Sequence, residues 1–160
     1  SQLSNAILSV SNVQPGKSQM QNTGRAVFKG IELAMHYQIM PDLLLASNYS
    51  YIERVNQTNP SVFFTDVPYS KVFSFIQYKL ANRYQFMLSS EYNSLRYSTS
   101  YGTRAPGFHT ANFLASVSVL KWMKIEAGVN NLFDKNYMYT EGYPEEGRNF
   151  FVTLRFFNHP

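Results

Sequence analysis

Apolar and polar residues alternate along most of this chain with a period of two. In residues 28–39 the odd positions from Ile31 to Ile39 are apolar, and the even positions between them are Glu, Ala, His and Gln. Because consecutive side chains of a strand point to opposite faces, this pattern predicts a β-strand with one apolar and one more polar face. The same alternation recurs in residues 84–93, 111–121, 123–131 and 149–156. A chain built from such segments is predicted to be all-β.

The connections between these segments alternate between short and long. The short breaks are residues 41–42, 81–83 and 121–122, and the long, polar connections are residues 11–26, 56–69, 98–109 and 133–148. The eight predicted strands are 2–10, 27–39, 43–55, 70–80, 84–97, 110–121, 123–132 and 149–157. Several reach the ~9–11 residues that a tilted strand needs to cross a bilayer. Periplasmic short turns and extracellular long loops are typical of outer-membrane proteins, so we predict an antiparallel up-and-down transmembrane β-barrel segment.

Composition narrows the functional classes. Aromatic residues make up 16% of the chain and charged residues only 15%, below the roughly one quarter of an average soluble domain. The net charge of +4 comes from scattered basic residues, so no basic stripe for nucleic acid is visible. No run of apolar residues is long enough for a transmembrane helix, and no N-terminal signal segment is recognisable.

Sequence motifs for catalysis or cofactor binding are not found, so we predict that the chain is not an enzyme and binds no cofactor. There are no cysteines, and the three histidines are scattered, so no metal site is predicted. Charged residues on the predicted polar faces are interpreted as ion pairs of a barrel wall: Glu32, Arg54, Glu91, Glu126 and Arg155.

The segment GVNNLFDKNYMYTEGYPEEGRNFFVTLRFF at 128–157 resembles the C-terminal end of TonB-dependent outer-membrane receptors, the family of siderophore, haem and cobalamin receptors. The motif residues that carry this resemblance are Asn131, Leu132, Phe133, Asp134, Lys135, Tyr137, Gly147 and Arg148. Upstream, MQNTGRAVFKGIELAMHYQI at 20–39 is similar to another strand of the family, and the segments 43–55 and 66–80 match the next two. The family usually ends on an aromatic residue, whereas this chain continues past Phe157 with Asn-His-Pro.

The resemblance implies a location and a role. Barrels of this family have about 22 strands around a plugged lumen. Residues 1–160 are therefore expected to be a single C-terminal barrel segment without the plug domain, TonB box or signal peptide. Such receptors lie in the bacterial outer membrane and take up ferric siderophores, haem or cobalamin, with iron compounds the expected ligands here. TonB would act only through the absent plug, and the isolated chain is expected to be oligomeric or detergent-bound.

One long loop combines aromatic and basic residues. Its candidate extracellular ligand contacts are Tyr97, Tyr101, Arg104, Phe108 and His109. Arginine and tyrosine suit an anionic, aromatic siderophore through charge, hydrogen bonds and stacking. The alternative, which we favour from the sequence, is that these tyrosines belong to the aromatic girdle at the membrane surface.

Two other architectures fit the strand pattern. Eight strands can close into a complete small barrel, which would require residues 2–10 to pair with 149–157. A soluble all-β binding module would also show alternating strands, but it would have to bury the apolar face.

Overall fold

One antiparallel sheet dominates the computed structural model, which describes residues 1–22 and 24–157. Its strands are β1 (Gln2–Leu3), β4 (Ala26–Met40), β5 (Leu43–Asn56), β6 (Ser70–Leu80), β7 (Tyr84–Asn93), β10 (Phe108–Leu120), β11 (Met123–Asn130) and β14 (Asn149–Phe156), in that spatial order. Three two-stranded hairpins lie outside it: β2 (Ile7–Gln14) with β3 (Lys17–Asn22), β8 (Arg96–Tyr97) with β9 (Arg104–Ala105), and β12 (Met138–Thr140) with β13 (Tyr143–Pro144). The described residues contain no helix that is long and apolar enough to cross a membrane.

The prediction of an eight-stranded antiparallel sheet is confirmed, although two strand boundaries are wrong. The predicted strand 84–97 ends at Asn93, because Ser94 closes the ladder against Ser70 and the chain then leaves the sheet. In this closure the Ser94 amide donates to the Ser70 carbonyl at 2.9 Å, and the Ser70 amide donates to the Ser94 hydroxyl at 2.9 Å.

The first predicted strand, 2–10, is also wrong. Of the predicted residues 2–10, only the two residues of β1 pair with β4. The chain then leaves the sheet, because Asn5 adopts a positive φ of 58° that interrupts the extended backbone. The following residues form the hairpin β2–β3, which reverses at Gly16 with a φ of +72°, a conformation that glycine tolerates. Part of the predicted loop 11–26 is therefore a strand of a separate hairpin.

The register places the predicted apolar residues on one face. Phe113 lies opposite Leu88 on β7 and Val129 on β11, and Val129 lies opposite Phe150 on β14. Following the pairs across the sheet assigns nine apolar residues of the alternating segments to this outer face: Ile31, Leu33, Met35, Phe86, Phe113, Val117, Ile125, Val152 and Leu154. The Phe150 side chain is 75% exposed and that of Val152 is 73% exposed. An apolar face left exposed by the fold is typical of the lipid-facing surface of a barrel.

The inner face carries the polar residues together with two aromatic rings of β6. Phe73 and Phe75 lie opposite Glu91 and Ser89, so both rings belong to the inner face. Three of the residues predicted to form ion pairs do so: Glu126 with Arg155 (2.7 Å) and Lys124 (3.2 Å), and Glu91 with Lys71 (3.1 Å).

The ion-pair prediction is wrong for two residues. Within the described part of the chain Glu32 has no ion pair. Arg54 instead donates from its guanidinium to the backbone carbonyls of Thr65 and Val67.

The sheet is open. Among the described residues β1 pairs only with β4, and β14 pairs only with β11. The predicted alternative of a closed eight-stranded barrel is therefore wrong, because the two residues of β1 lie at the edge opposite β14. The last predicted strand, 149–157, pairs with the preceding one, 123–132, through β14 and β11.

The facing of β10 can be tested with two adjacent substitutions. Val117→Arg places a guanidinium on the outer face, where a lipid-facing arginine costs up to about 2–4 kcal/mol, and less towards the membrane interface. Ser118→Arg adds the same charge on the inner face and serves as the control. We expect Val117→Arg to abolish the heat-modifiable, assembled band in outer-membrane fractions, whereas Ser118→Arg retains most of it. Equal assembly of the two variants would contradict the assigned faces.

Candidate functional site

The hairpin β8–β9 brings Tyr97 and Arg104 together at the long-loop end of the sheet. The two residues are register partners, and the Arg104 guanidinium donates to the Tyr97 hydroxyl at 3.3 Å. The guanidinium carbon also lies 5.3 Å from the centre of the Tyr97 ring. The ring of Phe63, from the preceding long loop, stacks on Tyr97 with centroids 4.1 Å apart. Tyr69 meets the same ring edge-on at 6.3 Å. We call Phe63, Tyr69, Tyr97 and Arg104 the arginine–aromatic cluster.

The five predicted contact residues do not form one site. Tyr101 is exposed at the tip of the hairpin, next to Gly102, whose φ is +105°. Phe108 is buried beneath the last long loop, away from solvent. His109 belongs to the outer face, opposite Tyr92, and its Nε2 lies 2.7 Å from the Ser90 hydroxyl. Only Tyr97 and Arg104, with Tyr101 at the tip, remain as one accessible group.

A second cluster surrounds Phe108. Its ring packs on Tyr137 at 4.6 Å and edge-on against Tyr139 at 5.2 Å. The buried Arg96 guanidinium lies 5.6 Å from the centre of the Phe108 ring. It donates to the backbone carbonyls of Tyr139, at 2.6 Å, and Met138. Arg96 therefore fastens the hairpin β12–β13 to the rest of the molecule.

Glu91 links this cluster to the inner face. The Tyr139 hydroxyl donates to Glu91 Oε1 at 3.1 Å, and the Asn93 amide donates to the same oxygen at 2.7 Å. Lys71 completes the set through its ion pair with Glu91. The sequence pattern placed Glu91 on the polar face but did not indicate its partners. The contacts of Arg96 and Tyr139 depend on how a loop folds back over the sheet, and that of Lys71 depends on the register of β6 against β7.

The loop phenols are kept protonated. Burial raises the pKa of Tyr139 well above its ordinary value, and the Glu91 carboxylate adds to the shift. Burial, followed by the charge of Glu145, also raises the pKa of Tyr137. Burial and the neighbouring Tyr97 raise the pKa of Tyr69. These hydroxyls therefore remain hydrogen-bond donors across the physiological pH range.

A cavity of about 290 Å³ opens beside the second cluster. Its lining combines phenols, amides and carboxylates: Glu91, Thr110, Asn112, Asn130, Asn131, Tyr137, Tyr139, Glu145, Glu146 and Asn149. The two loop clusters thus differ in charge, because Arg104 supplies a positive group in one and carboxylates dominate the other. No group of three His, Cys, Asp or Glu side chains within the described residues is arranged to hold a metal ion.

Residues of the motif that carries the family resemblance hold the last long loop in place through hydrogen bonds of Asn131 and Asp134 with its backbone. We call these hydrogen bonds the staple. The Asn131 side chain is 3% exposed and accepts from the Lys135 amide at 2.8 Å. Its NH₂ group donates to the carbonyls of Lys135 (2.8 Å) and Glu146 (3.3 Å). The Asp134 carboxylate accepts from the Arg148 amide at 2.8 Å.

Other motif positions follow from the same geometry. A Cβ on Gly147 would lie 2.9 Å from Asp134 Oδ1, which explains the glycine. The Leu132 amide donates to the Ala111 carbonyl at 2.7 Å, and the Phe133 side chain is exposed. Of the motif's side chains, Tyr137 alone contacts the second cluster, through Phe108. The motif is thus explained by loop structure.

The family model of the TonB dependent receptor-like β-barrel matches residues 1–132. This chain belongs to the TonB-dependent receptor family. Members of this family are transporters of the bacterial outer membrane and not enzymes, so the predicted location and the prediction of a non-enzyme are confirmed. The alternative of a soluble all-β module is overturned by the same match.

Solved structures show the same fold. The copper transporter OprC superposes with a TM-score of 0.84 at 21% identity, over 97% of this chain and 26% of OprC. The ferric-catecholate import receptor Fiu from Escherichia coli K12 gives a TM-score of 0.72 at 17% identity, over 97% of this chain and 24% of Fiu. The ferric enterobactin receptor PfeA of Pseudomonas aeruginosa, a mutant in complex with enterobactin, gives 0.77 at 19% identity, over 97% and 28%. The chain thus spans about a quarter of the length of these proteins.

The staple can be tested by substituting its central residue. Asn131→Ala removes three hydrogen bonds to the backbone of Lys135 and Glu146 and leaves alanine at a φ of 49°. A lost hydrogen bond of this kind costs about 1 kcal/mol, so the three together are expected to let trypsin cleave after Lys135 about tenfold faster in assembled protein. Asn136→Ala, at an exposed position of the same loop, is the control. Equal cleavage rates for the two variants would show that Asn131 does not hold the loop.

Proposed function

We propose that this chain is a C-terminal barrel portion, over residues 1–160, of a receptor for the uptake of a scarce nutrient. The ligand favoured by the site is a ferric siderophore or another iron compound, with haem and cobalamin as the other family ligands. TonB would act through a plug domain supplied by another part of the receptor. The observation that carries the proposal is the arginine–aromatic cluster at the long-loop end of the sheet.

The chemistry of the cluster suits an anionic and aromatic ligand. Arg104 is exposed and carries no carboxylate partner within the described residues, so its positive charge is available. The stacked aromatic rings of Phe63 and Tyr97 lie beside the Arg104 guanidinium. A catecholate complex can accept hydrogen bonds from the guanidinium and can stack on the rings. The names of Fiu and PfeA, two structurally similar receptors, point to the same ligand class.

We propose that other residues form the aromatic girdle. Tyr49, Tyr51 and Tyr92 lie on the outer face towards the long-loop end, where interfacial tyrosines are expected. Tyr97 instead contacts Phe63 and Tyr69 of a neighbouring loop. This arrangement supports a role for Tyr97 in ligand contact, and we propose Tyr97, Tyr101 and Arg104 as its ligand-binding residues.

The proposal is tested in the complete receptor by Arg104→Ala. Loss of a charge-assisted hydrogen bond is expected to weaken the binding of ferric enterobactin to whole cells about tenfold. Arg25→Ala removes an exposed arginine at the same end of the sheet and should leave affinity unchanged. Receptor levels are checked by immunoblot. If the variant and the control bind alike, this hairpin is not part of the site. The same assay with haem and with cyanocobalamin shows whether the receptor binds either of the other ligand classes.

The isolated chain should need lipid or a partner. Its edges at β1 and β14 leave backbone groups unpaired, and the exposed outer face would associate in water. We propose that residues 1–160 alone are oligomeric or detergent-bound. Light scattering without detergent is expected to show large, polydisperse species that neutral detergent disperses. A monodisperse monomer in buffer would contradict this.

A further inference from the structure

A cavity of about 300 Å³ lies at the short-turn end of the sheet, far along the strands from the two loop clusters. It is lined on the inner face by Lys79, Gln85, Ser116, Ser118 and Lys124, with Arg83 contributed by the turn between β6 and β7. These residues come from four neighbouring strands and one turn, so the register of the sheet alone brings them together.

The lining is strongly basic. No acidic residue lines the cavity, and within the described residues neither Lys79 nor Arg83 has an ion-pair partner. Lys124 is paired with Glu126, but that carboxylate is shared with Arg155 at 2.7 Å. The lining thus contains three cationic residues and no carboxylate, and the cavity retains an excess of positive charge. An anion that entered the cavity would be attracted by this charge.

Ser116 supplies the second observation. Its side chain is 5% exposed, and its hydroxyl has no hydrogen-bond partner although it lines the cavity. It lies between Gln85 on β7 and Glu126 on β11 in the register. Native proteins rarely leave a buried polar group unsatisfied, and each exception calls for a bound species or another explanation. A hydroxyl can donate to an anion in a cavity that is also lined by ammonium and guanidinium groups.

We propose that this cavity binds a phosphate group. Phosphate oxygens accept hydrogen bonds from hydroxyl, ammonium and guanidinium donors together, and arginine matches their geometry in two places at once. The cavity also includes Tyr84, an outer-face residue over whose ring Arg83 lies at 5.6 Å. The site is therefore at the rim of the barrel, open both to soluble phosphate compounds and to the head group of a phospholipid in the periplasmic leaflet.

The test uses the complete receptor in neutral detergent and isothermal titration calorimetry at constant ionic strength. The two probes are sodium phosphate and dioctanoyl phosphatidic acid, which carry the phosphate group with and without acyl chains. We expect saturable binding of at least one probe. Tighter binding of the lipid assigns the site to the leaflet, and equal or tighter binding of inorganic phosphate assigns it to a soluble compound. Binding of neither probe would overturn the proposal.

Variants locate the binding. The exposed turn substitution Arg83→Gln and the double variant with Lys79→Gln are expected to lower the affinity about tenfold and more, as lost charge-assisted bonds predict. Lys121→Gln removes the same charge from the neighbouring turn, outside the cavity, and should change it less than about twofold. If Lys121→Gln and Arg83→Gln lower the affinity for phosphate equally, the binding reflects general charge attraction. That result would overturn the proposed site.

Ser116→Ala separates a ligand role from a structural one. Without phosphate, removal of an unpartnered hydroxyl is expected to leave thermal stability unchanged or raised. With phosphate, the affinity should fall several-fold and the stabilisation by the ligand should shrink accordingly. If the affinity for phosphate is unchanged, Ser116 is not part of the site. The cavity would then lack the observation that distinguishes it from a group of solvated lysines.

Discussion

Hydrogen bonding of the backbone in a medium without water is the constraint on which this structure depends. Every amide and carbonyl that lies in hydrocarbon must find a partner within the protein, so the strands β4, β5, β6, β7, β10, β11 and β14 form one antiparallel ladder. The ladder fixes which face each side chain occupies. One face can then expose Phe150 and Val152 to lipid, while the other collects the ion pairs around Glu91 and Glu126. The same constraint leaves β1 and β14 as edges that need further strands.

The long loops are stabilised by different interactions. They are exposed to water, and they lie outside the ladder of backbone hydrogen bonds that holds the main sheet together. Their structure rests on a few buried polar side chains that satisfy loop carbonyls: Asn131 in the last loop and Arg96 beneath β12–β13. Aromatic stacking then joins one loop to the next, through Phe63 and Tyr97 on one side and Phe108 and Tyr137 on the other. A rigid sheet thereby presents two loop clusters of opposite charge.

Sequence periodicity predicted seven of the eight main strands and the outer face, because alternation reports directly on a sheet with one lipid-facing side. It failed at residues 2–10, where Asn5 and Gly16 redirect the chain into a hairpin that is itself weakly amphipathic. For the candidate site, the sequence indicated Tyr97 and Arg104 but grouped them with Phe108 and His109. Adjacent residues of a strand face opposite sides, so Phe108 and His109 could not share a site once β10 extended to include both.

The amino-acid sequence by itself determined the strand pattern, the alternation of short and long connections, the absence of catalytic motifs and the family resemblance, since each is encoded in local order along the chain. The tertiary structure alone decided which groups meet. The burial of Arg96, the link from Tyr139 to Glu91 and the basic cavity around Ser116 join residues that are far apart in sequence. The strand register determines which residues line the cavity. The fold of the long loops determines the burial of Arg96 and the contact of Tyr139 with Glu91. The identity of a single side chain carries no information about these contacts, because they depend on the pairing of neighbouring strands and on how the long loops fold over the sheet.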